Sequence, residues 1–185
     1  MNKLLPLLIS LFALSCSGVQ QPETAEHEYV DLADTPPADT LFKIFRDGSE
    51  EVFGYVDQKG QMVITYGQFA FGFSDTILTH GIVAERSGGL IGIDQKGQRL
   101  YEVFLFDNGP DYLQDGLFRI LRNGKTGYAD ARGMVVIEPQ FACAEPFSGG
   151  RAKVALDCSV QKDGEHAVME SDHWFYIDKK GERIE

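Results

Sequence analysis

Four short segments of the chain are near-copies of one another, and this repetition is what most limits its fold. They read GYVDQKGQMVI, IGIDQKGQRLY, GYADARGMVVI and FYIDKKGERIE. An aspartate recurs in them at intervals of 37, 36 and 48 residues: Asp57, Asp94, Asp130 and Asp178. A glycine follows each aspartate after three residues: Gly60, Gly97, Gly133 and Gly181. Periods of 20 to 50 residues are typical of repeat architectures.

The Asp-x-x-Gly core of each copy has the chemistry of a tight turn between strands. Its aspartate can accept a hydrogen bond from the backbone N–H two residues on, and its glycine supplies the positive φ that closes a hairpin. The middle residues, such as Gln58 and Lys59, should face solvent. The flanking arms, Tyr55–Val56 and Met62–Ile64 in the first copy, are aromatic and β-branched and predict strands. The recurring aspartates and glycines are therefore predicted to be structural turn residues.

A further apolar strand precedes each hairpin, so each unit should contain three strands. We predict four units, at about residues 41–77, 78–115, 116–149 and 150–185, with an insertion in the last unit around residues 161–172. A three-stranded unit cannot bury both faces alone, so neighbouring units must stack. The prediction is an all-β domain over residues 41–185, built as an open, curved array of β-meanders, with a closed propeller-like ring as the alternative.

The first fifteen residues have the features of an export signal. Lys3 precedes an apolar run that is too short to span a bilayer as a helix. The run ends in ALSCS, which resembles a bacterial lipoprotein signal, in which cleavage occurs before a cysteine that then receives lipid. Here that cysteine is Cys16, and an ordinary secreted protein is the alternative. Residues 16–40 are acidic and proline-containing, and they predict a disordered tether.

The formal net charge of the chain is −11, which disfavours nucleic acid as a partner. The expected contacts are the membrane, through the lipid anchor, and an envelope protein or glycan. We expect a bacterial cell-envelope location, at the outer membrane, with the membrane face left unassigned.

Two cysteines, Cys143 and Cys158, remain if Cys16 is lipidated. In an exported protein such a pair can oxidise. Sequence gives no distance between them, so they either form a disulfide or remain separate thiols.

The third unit most clearly resembles the WG-repeat family. In GKTGYADARGMVVIEPQFACAEPFSGGRAKVAL, five residues have the family's order: Pro139, Phe141, Ala144, Phe147 and Gly150. Four different residues occupy the family's tryptophan position: Phe53, Leu90, Thr126 and Trp174. The resemblance covers most of residues 41–185. It implies an all-β repeat protein, commonly a bacterial lipoprotein or secreted protein, and it provides no catalytic residues because the motif consists of turn and core positions.

Metal sites have two candidates in the sequence, each with a simpler explanation. The segment EHAVMESDH contains His166 and His173 among acidic residues, as an exposed acidic loop also would; His27 and His80 lie elsewhere. DNGPDYLQDG, residues 107–116, is rich in oxygen ligands but lacks the ligand pattern of a calcium loop, and turn formation accounts for it. We expect no metal and no cofactor.

Aromatic residues between the hairpins are candidates for a binding face, as the connections of repeat proteins often are. They are Phe69, Phe71, Phe73, Phe104, Phe106, Tyr112, Phe141 and Phe147. The alternative is that they fill the space between stacked units.

Known catalytic patterns such as Gly-x-Ser-x-Gly and the phosphate-binding glycine loop are absent from the sequence. We therefore expect a non-enzymatic envelope lipoprotein that displays a β-repeat domain for protein or glycan binding. One alternative is a structural accessory subunit of an envelope complex. Another is a hydrolase of envelope polymers that acts through unidentified carboxylates.

Overall fold

The computed structural model describes residues 28–34, 39–48, 51–163 and 166–185. Among them there is no α-helix, and two short 3-10 segments, Leu32–Asp34 and Arg46–Gly48, are the helical parts. The strands are, in chain order, β1 (Leu41–Phe45), β2 (Phe53–Val56), β3 (Met62–Ile64), β4 (Phe71–Gly72), β5 (Thr76–Ile77), β6 (Gly81–Ala84), β7 (Leu90–Ile93), β8 (Arg99–Val103), β9 (Leu105–Phe106), β10 (Gly109–Pro110), β11 (Leu117–Arg122), β12 (Lys125–Asp130), β13 (Val135–Phe141), β14 (Cys143–Ala144), β15 (Arg151–Ala155), β16 (Ser159–Asp163), β17 (His166–Glu170), β18 (Phe175–Asp178) and β19 (Arg183–Ile184).

Each of the four units contains three antiparallel strands. They are β1–β2–β3 in unit 1, β6–β7–β8 in unit 2, β11–β12–β13 in unit 3 and β15–β18–β19 in unit 4. The shorter strands β4 and β14 lie in the connections and pair with the first strand of the following unit, β6 and β15. Within the described residues no sheet closes into a barrel. The predicted all-β fold with an open arrangement of repeats is confirmed.

The four Asp-x-x-Gly turns have one geometry. In the first, Asp57 Oδ1 accepts hydrogen bonds from the backbone nitrogens of Lys59 (2.9 Å) and Gln61 (2.8 Å). The equivalent bonds form at the other three aspartates. The turn glycines have φ angles of 76° to 82°, in the left-handed region that favours glycine. These residues therefore close the hairpins, as the spacing predicts.

The hydrophobic core lies between successive units. One cluster joins side chains of units 1 and 2, including Tyr55 and Ile93. A second joins units 2 and 3, including Tyr101 and Phe118, and a third joins units 3 and 4, including Tyr128 and Ile177. Stacking of neighbouring units therefore buries the faces that one three-stranded unit leaves open.

Part of the segment that we assigned to the tether packs on this domain. The backbone nitrogen of Val30 donates to the carbonyl oxygen of Arg99 (2.9 Å), Leu32 is buried in the cluster between units 2 and 3, and the Tyr29 hydroxyl donates to Glu102 (3.0 Å). The packed domain thus includes residues before Leu41, because these apolar side chains fill a gap beside β8. The predicted signal, residues 1–15, and Cys16 lie outside the described residues, as do residues 17–27 of the tether.

The last unit carries the expected insertion as a hairpin, β16–β17. A disulfide joins Cys143 in β14 to Cys158 at the base of this hairpin, with 5.8 Å between the Cα atoms. It links the connection strand between units 3 and 4 to the end of unit 4's first strand. No helix in the described part of the chain has the length and apolar character that a membrane crossing requires.

Candidate binding surface

One tyrosine position links the repeats to a surface on unit 4. Two residues before the turn aspartates, the units carry Tyr55, Gly92, Tyr128 and Tyr176. In units 1 and 3 this tyrosine is fully buried, and its hydroxyl donates to a backbone oxygen of the connection that follows the unit, Ser74 or Glu145, at 2.7 Å in both. Burial raises the pKa of Tyr55 and Tyr128, so both remain protonated donors at ordinary pH.

A basic residue lies opposite this tyrosine on the first strand of the unit. The cross-strand pairs are Lys43–Tyr55, Arg119–Tyr128 and Lys153–Tyr176. Lys43 Nζ donates to the backbone oxygen of Gly72 (3.1 Å), the second residue of β4. Arg119 Nη1 donates to that of Ala144 (3.2 Å), the second residue of β14. We name each basic residue and its tyrosine a strand clamp, because together they hold the connection strand over the unit.

Unit 2 has no strand clamp. Ile82 lies opposite Gly92, and the ring of Tyr101 occupies the space above this glycine, where a Cβ atom would collide with it. Here the third strand, β8, itself pairs with β11 of unit 3. Units 1 and 3, in contrast, are each followed by a separate connection strand, β4 or β14, that pairs with the next unit.

In unit 4 the clamp residues are present, but no strand of the described residues lies over them. Tyr176 is 37% exposed, and its hydroxyl forms no hydrogen bond with any described residue. Lys153 Nζ lies 4.8 Å from the centre of the Trp174 ring, and Arg151 Cζ lies 4.6 Å from that of Tyr176. Arg183 Cζ is 4.7 Å from the centre of the Phe175 ring. We call Arg151, Lys153, Trp174 and Tyr176 the terminal surface. Arg183 lies on the opposite face of the sheet, with Phe175 and Ile177.

Two grooves border the terminal surface. One, of about 440 Å³, is lined by Trp174, Phe175 and Arg183 together with residues 156–157 and 172–173. The other, of about 480 Å³, is lined by residues 174–176 and 183–185. Both volumes are within the range of ligand sites. Aromatic faces and cations exposed together on an acidic chain can bind acidic or aromatic groups.

A histidine hydrogen-bonded to an aspartate lies at the edge of the first groove. His173 Nδ1 is 2.8 Å from Asp157 Oδ2. This hydrogen bond raises the pKa of His173 and lowers the pKa of Asp157. Ser171 Oγ donates to Asp157 (3.3 Å), not to the imidazole, so these three residues lack the nucleophile–base contact of a catalytic triad.

Of the other histidines, His80 is the one whose side chain the structure describes, and it lies away from His173. His80 lies in unit 2, stacked on Phe118 with 6.1 Å between ring centres, and burial lowers its pKa. His27 and the side chain of His166 lie outside what the structure describes. In the described part of the chain, no three His, Cys, Asp or Glu side chains are grouped to hold a metal ion.

The segment 107–116 contains a buried ion pair that the sequence did not reveal. Asp111 accepts from Arg119 Nη2 (2.7 Å) and Nε (2.9 Å), and the guanidinium carbon is 3.8 Å from the centre of the Phe104 ring. The two charged side chains are 1% and 3% exposed. Asp107 and Asp115 have positive φ angles, as turn residues do. Asp111 is thus occupied in fixing the clamp residue Arg119.

The predicted inter-hairpin aromatics divide between the two roles considered for them. Phe69, Phe141 and Phe147 are buried in the core, and Phe104 lies beneath Arg119. Four are exposed in two edge-to-face pairs, Phe71–Phe73 and Phe106–Tyr112, with ring centres 4.9 Å and 5.5 Å apart. The sequence analysis did not identify the terminal surface as a site. The feature that could have indicated it is that Tyr176 and Lys153 occupy the positions whose equivalents in units 1 and 3 hold a connection strand.

A third groove, of about 500 Å³, lies beside β8 and contains two carboxylates, Glu85 and Glu102. Arg99 forms ion pairs with both, and Glu102 also accepts from Tyr29. These contacts attach the N-terminal segment to the sheet, which gives the two carboxylates a structural role.

Comparison with known proteins supports the repeat assignment for one part of the chain. The family model described as "WG containing repeat" matches residues 127–157, from within β12 of unit 3 to two residues past the end of β15. No curated protein matches the chain. The chain therefore contains a segment similar to the WG repeat, within a fold in which four units share one plan.

Proposed function

We propose that this protein is a non-enzymatic, lipid-anchored protein of the bacterial cell envelope, at the outer membrane, whose β-repeat domain binds a protein or glycan partner through the terminal surface. The proposal is carried by one observation: the tyrosine and basic residue that hold a strand in units 1 and 3 are covered by no strand of the described residues in unit 4. Exposed aromatic and basic side chains beside a groove are typical of binding surfaces.

The anchor at Cys16 would place this domain on the membrane, since bacterial lipoproteins carry more than one acyl chain and attachment by several chains is stable. Labelled palmitate should be incorporated into the wild-type protein and not into Cys16→Ala. Equal incorporation into both forms would contradict anchoring at this cysteine.

Binding is tested by placing a photo-crosslinking amino acid at position 176 of the full chain in intact cells. Val136, in β13 of unit 3, is similarly exposed and provides the control position. We expect one reproducible adduct from position 176 and none from position 136. No adduct at 176 would contradict the binding function. The same several neighbours at both positions would instead favour the structural accessory subunit, in which the domain packs inside a complex.

A further inference from the structure

We propose that the terminal surface binds an extended segment of a partner protein, with a glycine seated between Trp174 and Tyr176 and an acidic residue three positions later beside Lys153. This inference rests on the proposed function and specifies the class of partner. The chain itself shows what occupies the equivalent clamps in units 1 and 3, so the occupant can be deduced from internal examples.

The seat in unit 1 admits only glycine. Gly72 of β4 lies against Phe53 and Tyr55, and a Cβ atom built on it would be 2.8 Å from Phe53 Cε2 and 3.0 Å from Tyr55 Oη. Such contacts require the rings to shift, so a side chain at this position would be costly. Phe53 occupies the position that Trp174 has in unit 4. Unit 4 therefore pairs a large aromatic residue with the clamp tyrosine, as unit 1 does.

Unit 3 shows how the seat depends on that aromatic position. There the equivalent residue is the smaller Thr126, and the seated residue is Ala144, which is completely buried. The smaller Thr126 thus leaves room for alanine in the connection strand, where the larger Phe53 leaves room only for glycine. Trp174 is larger than Phe53, so the terminal seat should accept glycine.

The charge of the occupant follows from unit 1, since in unit 3 the residue three positions after Ala144 is Phe147 and Arg119 pairs with Asp111 instead. Asp75, three residues after Gly72, forms an ion pair with Lys43. Lys153 is the equivalent of Lys43 and forms no ion pair with any described residue. Arg151, two residues before Lys153 on the same strand, adds positive charge on the same face. An acidic side chain in the bound segment would complement this surface, as it complements Lys43 within the chain.

The test uses a capped synthetic peptide with the sequence of residues 69–76, FAFGFSDT. It is titrated into the purified full-length protein in mild detergent, and the fluorescence of Trp174 is followed. Because the chain has one tryptophan and the peptide has none, the signal arises at the terminal surface. We expect a saturable change. Peptides carrying Gly72→Val or Asp75→Lys should bind about tenfold more weakly or worse.

A charge exchange identifies the residue that receives the acid. Lys153→Glu protein should lose affinity for the parent peptide and regain it for the Asp75→Lys peptide. Lys125→Glu makes the same charge change on the exposed hairpin of unit 3 and should bind as the wild type does. Urea unfolding of both variants verifies that they fold like the wild-type protein before binding is compared.

Three results would overturn the inference: no saturable change with the parent peptide, equal binding of the Gly72→Val peptide, or failure of the charge exchange. A cellular adduct at position 176 without peptide binding would overturn this inference and leave the binding function supported. Peptide binding without any cellular adduct would support the extended-segment mode and contradict the cellular function.

Discussion

Unit 3 and unit 4 carry the same pair of residues in different surroundings. In unit 3, Arg119 and Tyr128 are buried beneath β14 and hydrogen-bonded to its backbone or to the residue that follows it. In unit 4, Lys153 and Tyr176 occupy the same cross-strand positions, and no strand of the described residues covers them. The same pair of positions therefore serves stacking in unit 3 and is left open by the described residues in unit 4.

The largest expected difference between the two units concerns their basic residues. Asp111→Ala removes the partner of Arg119 and leaves its buried guanidinium uncompensated, which should lower the free energy of unfolding by about 3–5 kcal/mol. Lys153→Ala changes a side chain that forms no ion pair with any described residue, and it should cost about 0.5 kcal/mol or less. Urea denaturation of the two variants measures both values. Similar losses of unfolding free energy would show that the clamp residues of unit 4 contribute as much to stability as those of unit 3.

In unit 2, a tyrosine can be introduced at Gly92, the position that the clamp tyrosine occupies in the other units. Gly92→Tyr alone should be destabilising, because the new side chain collides with the Tyr101 ring. Tyr101→Ile alone should cost about 3 kcal/mol, since it empties a buried site and removes the hydroxyl that donates to the Gly133 oxygen (3.0 Å). The double variant recreates the Tyr–Ile pair found between β2 and β3 and between β12 and β13.

We expect this double variant to be more stable than the sum of the single changes predicts, by about 0.5–3 kcal/mol. A double-mutant cycle of urea unfolding energies measures that coupling. Additive losses would mean that Gly92 and Tyr101 do not compensate for each other. The Tyr101 ring would then not be a substitute for the clamp tyrosine that unit 2 lacks.

The elements that could be predicted from sequence are those set by local chemistry. Asp57 and Gly60 specify a turn through hydrogen bonds within five residues, so the hairpin follows from the motif. Stacking of the units is then predicted because a three-stranded unit cannot bury both of its faces alone. Burial of Leu32 was not predictable, because its packing depends on a gap beside β8 that is distant in sequence.

The candidate site depended on register, which the sequence alone did not provide. Phe71 and Phe141 both looked like inter-hairpin aromatics, yet one is exposed in β4 and the other is buried at the end of β13. Arg119 and Asp111 meet only because β11 runs beside the returning connection. Aligning the units at their turn aspartates does bring Tyr55, Tyr128 and Tyr176 to one position, but only the structure shows that the last of them is uncovered.

The smallest expected effect isolates the hydroxyl of the clamp tyrosine. Tyr128→Phe keeps the ring and removes the hydrogen bond to the Glu145 oxygen, so it should lower the free energy of unfolding by about 1 kcal/mol. Tyr176→Phe removes a hydroxyl that faces solvent and should change that energy by only a few tenths. Because the chemical change is the same in both variants, the difference between their urea midpoints reports the covering strand alone. An equal loss at Tyr176 would mean that its hydroxyl is already engaged, and the terminal surface would then not be open for a partner.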